Sequence, residues 1–155
     1  MESKKYMHEA IKLSIDNVKN NGGPFGAVIV KNGKIISKGV NRVTDLNDPT
    51  AHAEVNAIRE ASQKLNSFDL SGCEIYTSCE PCPMCLGAIY WARLDKVYFA
   101  NNKTDAKKIG FDDSFIYEEI EKPFEKRNIP TIQMMRDEAI QAFKDWDAKA
   151  DKIKY

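Results

Sequence analysis

The chain has 155 residues, enough for one domain with a single sizeable core. Its 43% hydrophobic and 30% charged residues are ordinary for a globular protein and exclude a disordered or fibrous one. Twenty-three Lys plus Arg balance 23 Asp plus Glu, so no basic excess points to a nucleic-acid partner.

Met7, Ala10, Ile11, Ile15 and Val18 recur at helical spacing among Lys and Glu, predicting an amphipathic first helix ended by Gly22-Gly23-Pro24. Ala27 to Val30 and Ile35 to Gly39 are β-prone runs joined by Asn32-Gly33, the type I′ hairpin signal. A loop rich in Asn, Asp and Pro runs from Asn41 to Thr50. His52 to Leu65 reads as helix, Glu74 to Thr77 as a short strand, Pro83 to Arg93 as a second helix and Lys96 to Ala100 as a strand. From Asn101 to Arg127 the pattern mixes loop with one or two short helices. Ile129 to Met134 reads as a final strand and Asp137 to Ala150 as a terminal helix. Strands interleaved with helices predict an α/β fold, a three-layer α/β/α sandwich on a mixed five-stranded sheet, with residues 1–155 forming a single domain.

Met1 to Tyr6 lacks the apolar core of a signal peptide, and no run reaches the roughly eighteen apolar residues that suggest a membrane span. Four cysteines in such a chain read as thiols or metal ligands rather than disulfides. The cytoplasm is therefore the expected compartment, with no membrane partner.

Two stretches carry chemistry: Thr50-Ala51-His52-Ala53-Glu54 and Cys79-Glu80-Pro81-Cys82-Pro83-Met84-Cys85. Zinc favours four-coordinate sites of thiolate sulfur and imidazole nitrogen, and catalytic sites leave one position for water. Cys82 and Cys85, three apart at a helix start, fall on one face, where the helix terminus favours thiolates. Pro83 suits the first turn, where its missing N–H costs nothing. His52 opens the other helix, so two helix N-termini are expected to converge on one ion. Glu54, two residues on, misses the ion but can reach its water and act as proton carrier. Cys-x-x-Cys alone also suits a thioredoxin-like redox pair or half a structural zinc site. The redox reading has no use for His52 and Glu54, and a structural site would need a fourth ligand, for which only Cys79 lies near.

His-x-Glu followed by Pro-Cys-x-x-Cys resembles the zinc-dependent nucleobase and nucleoside deaminases. The likeness extends through Gly22 to Val30, Asn47 to Glu54, Tyr76 to Arg93 and Gly110 to Tyr117, and reaches Tyr155, so that nearly the whole chain is similar to the small bacterial guanine deaminases. The Gly-Phe-Asp-Asp-Ser-Phe block, Trp91 and the terminal aromatic are what point to guanine.

The resemblance implies a cytidine deaminase-like fold and hydrolysis of guanine to xanthine and ammonia, with a small nucleobase as substrate. It implies that Asn41 hydrogen-bonds the purine, that Phe25 and Trp91 wall it, and that the backbone N–H groups of Ala53 and Cys82 lie beside it. Asp113 would accept from the N1–H and exocyclic amine of guanine, although either of Asp112 and Asp113 could face the pocket. Each has a plainer use: Asn41 in a turn, Phe25 and Trp91 in core packing, Asp113 capping a helix. Tyr155 would close over the site within a homodimer that exchanges its C-terminal segment, about 137–155. Ile140, Phe143 and Trp146 supply the apolar face such docking needs. A tRNA adenosine deaminase, or a cytosine or triazine (ammeline-type) deaminase on the same scaffold, remains the alternative. Zero net charge and the acidic residues of 111–121 weigh against the tRNA substrate.

Overall fold

A computed structural model describes residues 2–155. Residues 1–113 and 114–155 form two compact units. The first holds β1 (Gly26–Lys31), β2 (Lys34–Val40), β3 (Cys73–Cys79) and β4 (Lys96–Asn101) in one sheet of order β2-β1-β3-β4. β1 pairs antiparallel with β2 and β3, while β3 pairs parallel with β4. The sheet is mixed as expected but four-stranded rather than five-stranded.

Side chains alternate across β1, so each face of the sheet builds its own core. Ala27 and Ile29 face α3 (Ala53–Leu65) and α4 (Pro83–Trp91), meeting Ala53, Ala57, Ala61 and Ile89. Val28 and Val30 face α1 (Glu2–Lys19), meeting Tyr6 and Ala10. This is the three-layer α/β/α arrangement read from the element order. The buried stripe of α1 is Tyr6, Ala10 and Ser14, with Asn17 half-buried one turn on, whereas Ile15 and Val18 are exposed. Of the apolar periodicity at 7, 10, 11, 15 and 18, Ala10 is buried and Met7 packs against the core, while Ile15 and Val18 fall on the outer face. Small residues win the inner one because β1 approaches closely: a Cβ on Gly26 would lie 2.5 Å from the Ala10 carbonyl oxygen.

The same economy seats the helix that carries the site. A Cβ on Gly39 of β2 would lie 2.1 Å from the Ala53 carbonyl oxygen, so only glycine lets the first turn of α3 rest on the sheet. The Asn41–Thr50 loop contains a single-turn helix, α2 (Val43–Leu46), which the sequence reading did not include. It closes on Asn47 in the left-handed conformation, the usual helix terminator after glycine. α5 (Lys103–Lys108) follows β4 and begins with a capping box between Asn102 and Asp105.

The second unit carries α6 (Ser114–Glu121), a 3₁₀ turn at Phe124–Lys126 and α7 (Arg136–Ala148). None of these elements contains a buried residue. The strand read at Ile129 to Met134 is irregular backbone, with Ile129, Ile132 and Met134 exposed. β-propensity needs a neighbour to become a strand, and Pro130 removes one ladder donor from this run. Among the described residues, no helix is long and apolar enough to cross a membrane.

Candidate metal centre

His52 and Cys82 are the N-cap residues of α3 and α4, both with extended backbone. Pro83 takes the first helical position of α4, and Cys85 lies on the same first turn. Glu54 stands on the first turn of α3. Two helix N-termini therefore meet, each contributing partial positive charge and unpaired N–H groups to the same spot.

The ligand atoms of His52, Cys82 and Cys85 lie within 4.8 Å of one another. The His52 Nδ1 is 3.6 Å from the Cys82 Sγ and 3.5 Å from the Cys85 Sγ. Tetrahedral zinc with Zn–S near ~2.3 Å and Zn–N near ~2.0 Å separates sulfur from nitrogen by about 3.5 Å, so the donor set fits zinc and assigns Nδ1 as the ligating atom. Cys79, the conceivable fourth ligand, instead directs its Sγ to the Asn102 carbonyl at 3.9 Å. Burial pushes the Cys79 thiol up to about 11, which keeps it protonated. The cluster is thus a three-ligand site, as catalytic zinc requires, and offers no fourth protein donor among the described residues.

Electrostatics within the cluster follow from crowding. The Cys85 thiol and then the His52 ring hold the Cys82 thiol down, at about 4. Cys85 is driven far up by the sulfur of Cys82, by burial and by Glu54. His52 is raised, chiefly by its hydrogen bond to Cys82. Three such groups compete for protons that a divalent cation would displace.

Glu54 is only 6% exposed, and burial raises its pKa above the carboxylate range. Its Oε2 accepts from Cys85 at 3.4 Å, and its Oε1 accepts from the hydroxyl of buried Thr77 at 3.2 Å. That hydroxyl also lies 3.0 Å from the Cys79 carbonyl oxygen. Thr77 escaped the sequence reading because a Thr in a strand is usually a packing residue; only the inward-facing register of β3 beside α3 reveals it.

The remaining predicted residues divide. Phe25 packs against the α3/α4 core and meets Phe111 edge to face, with ring centroids 5.0 Å apart. Its carbonyl accepts from the Asn41 N–H at 3.2 Å, so Phe25 and Asn41 are neighbours. Asn41 is 9% exposed, and its Oδ1 accepts from the Val43 N–H at 3.2 Å, giving it the turn role as well. Ala53 is fully buried at the first position of α3. Asp113 is half-buried, and burial, followed by the Cys82 charge, raises its pKa. Asp112 is exposed and pairs with Lys107 at 3.0 Å. Trp91 ends α4, about 12 Å along the axis from its metal-bearing start, and is 70% exposed. Tyr155 is 72% exposed.

The profile of the cytidine and deoxycytidylate deaminase zinc-binding region matches residues 1–101. Guanine deaminase of Bacillus subtilis (strain 168) is 53% identical over 156 residues, covering 100% of both chains. Its X-ray structure superposes with a TM-score of 0.97, covering 100% of this chain and 99% of that one. A guanine deaminase structure from Nitrosomonas europaea matches at 36% identity and TM-score 0.68, over 70% of this chain and 64% of that one. The tRNA-specific adenosine deaminase of Aquifex aeolicus is 54% identical, but over 77 residues, 50% of this chain and 51% of that one.

Proposed function

The chain belongs to the cytidine and deoxycytidylate deaminase zinc-binding family, and on that premise we propose that it deaminates guanine hydrolytically, releasing xanthine and ammonia. It is a zinc-dependent hydrolase. The observation that carries the chemistry is a buried carboxylate, Glu54, against a three-ligand set spaced for zinc. A zinc ion held by His52, Cys82 and Cys85 would acidify a bound water, whose pKa falls from about 15.7 toward about 7 at such sites. Glu54 takes one proton from the water that adds to guanine C2 and places it on the adjacent ring nitrogen; as the C2–N bond breaks, it carries the second water proton to the departing amine, which leaves as ammonia. Burial raises the Glu54 pKa, which favours uptake of a proton by a carboxylate that must then release it.

The base is read by other residues. Asn41 hydrogen-bonds the purine, Phe25 stacks on it, and the N–H groups of Ala53 and Cys82 sit beside it. Between the two adjacent aspartates, the half-buried Asp113 is the one that accepts from guanine N1–H and the exocyclic amine, because Asp112 is drawn to Lys107. Full-length similarity to a guanine deaminase supports this substrate, whereas the match to tRNA-specific enzymes covers half the chain. Ammonia release should be rapid with guanine, weak with cytosine and ammeline, and absent with adenosine-containing tRNA. Faster release from any of the last three would replace this reading with the matching alternative.

Exposed apolar side chains support a homodimer. Tyr90 and Trp91 on α4, Phe99 on the outer strand, Ile129, Ile132 and Met134 in the irregular run, and Phe143 on α7 are all exposed, more than an isolated chain ordinarily carries. The C-terminal segment, about 137–155, exchanges between subunits of one functional domain. Tyr155 and Trp91 then contribute to a site that one copy alone does not complete. Deleting Ile153 to Tyr155 should lower guanine turnover at least about tenfold while zinc content holds; unchanged turnover would remove the tail from the site. Four free cysteines fit a reducing cytoplasm.

A further inference from the structure

The loop Gly22-Gly23-Pro24-Phe25 and the end of β2 are joined by one side chain that the chemistry above does not use. Asn17, on the last turn of α1, donates both hydrogens of its amide, one to the Gly23 carbonyl at 2.8 Å and one to the Asn41 carbonyl at 2.9 Å. Asn56, on α3, does the same from the other face of the sheet. Its amide donates to the Val40 carbonyl at 2.8 Å and to the Ala51 carbonyl at 3.2 Å. The consecutive carbonyls 40 and 41 are thus each held by an amide from a different helix. The Asn41 N–H is tied to Phe25 as well.

The two glycines make room for this arrangement. A Cβ on Gly22 would lie 2.4 Å from the Asn17 Nδ2, and a Cβ on Gly23 would lie 3.0 Å from the Asn41 Cγ and Oδ1. The Asn41 side chain rests on Gly23, and Asn17 holds the carbonyls of both. With its Oδ1 committed to Val43, Asn41 offers a ligand its Nδ2, a donor whose aim is set by the backbone that Asn17 fixes. Asn17 continues the inward-facing series Tyr6, Ala10 and Leu13 of α1, whose successive steps to it are four, three and four residues. An apolar residue there would serve packing alone, so the amide at that position calls for another use.

We propose that Asn17 is a positioning residue for the substrate: it sets the aim of Asn41 by clamping the Gly23 and Asn41 carbonyls. The proposal rests on the reading of Asn41 as a purine contact. It is tested by steady-state kinetics on the zinc-loaded full chain carrying Asn17→Ala, Asn17→Asp, Asn41→Ala and the Asn17→Ala/Asn41→Ala pair. Asn17→Asp keeps the size of the side chain but loses both donors, so it stands as a second probe if the alanine variant folds poorly.

Asn17→Ala and Asn17→Asp should each raise KM for guanine about tenfold, with kcat changed less than about threefold and zinc content unchanged. In the double variant, Asn17→Ala should add less than about twofold to the KM of Asn41→Ala, because two residues acting through one contact are not additive. An unchanged KM in the Asn17 variants alongside a raised KM in Asn41→Ala overturns the clamp alone. Multiplicative effects in the double variant do the same. An unchanged KM in Asn41→Ala overturns the purine contact and the clamp with it. Loss confined to kcat or to zinc would mark Asn17 as an ordinary structural residue and overturn its positioning role.

Discussion

Glu54→Gln retains its zinc and loses at least about 10³-fold in kcat, within the range that positioned acid–base groups supply. The amide is close to isosteric, so the contact with the Thr77 hydroxyl can survive and the first turn of α3 is undisturbed. What disappears is the ability to hold a proton between water and base. Zinc content by elemental analysis should stay near one ion per chain while ammonia release falls to background. Because Glu54 lies outside the three-ligand set, metal loss cannot produce this result. Appreciable turnover by the zinc-loaded variant would remove Glu54 from proton transfer and leave the family chemistry without its carrier.

Cys85→Ala acts on the other half of the machinery and empties the site. Two protein ligands remain, and activity should fall below detection together with zinc content. The fold should persist, since Ala57, Ala61, Ile75 and Ile89 join α3, α4 and the sheet independently of the metal. Cys79→Ser is the matched control, because Cys79 is not a ligand: zinc and turnover should both stay within about twofold of the parent. Loss of zinc in Cys79→Ser would mean a closed four-ligand structural site instead.

Metal binding should also weaken in acid. His52 and Cys85 both have raised pKa values and must give up protons to bind zinc. Protonation therefore competes more strongly as pH falls. Competition with a chelator should release zinc more readily at about pH 6 than at about pH 8, and the reverse order would contradict these assignments.

Much of the site is written locally. His52-Ala53-Glu54 and Cys82-Pro83-Met84-Cys85 are short segments whose residue types imply both helix starts and metal ligands. Asn32-Gly33 similarly specifies its hairpin, observed with both residues in the left-handed region. Other readings failed where a residue's role depends on a partner far away in sequence. Ile15 and Val18 looked like core but face outward, because the close approach of β1 selects small residues on the opposite side of α1. Ile129 to Met134 has the composition of a strand and no ladder to join.

By itself, then, the sequence determined a three-ligand metal set, the carboxylate beside it and the α/β order that presents them at helix starts. Helix caps and ligand spacings act over a few residues, and short-range rules read them. Only the tertiary structure brought the Nδ1 of His52 against the sulfurs of Cys82 and Cys85. It also brought Thr77 to Glu54 and linked α1 to Asn41, just past β2, through Asn17. Each of those depends on strand register and helix rotation, which bring together residues 23 or more positions apart. A one-residue slip in β3 would turn Thr77 away from Glu54 while leaving every local motif intact.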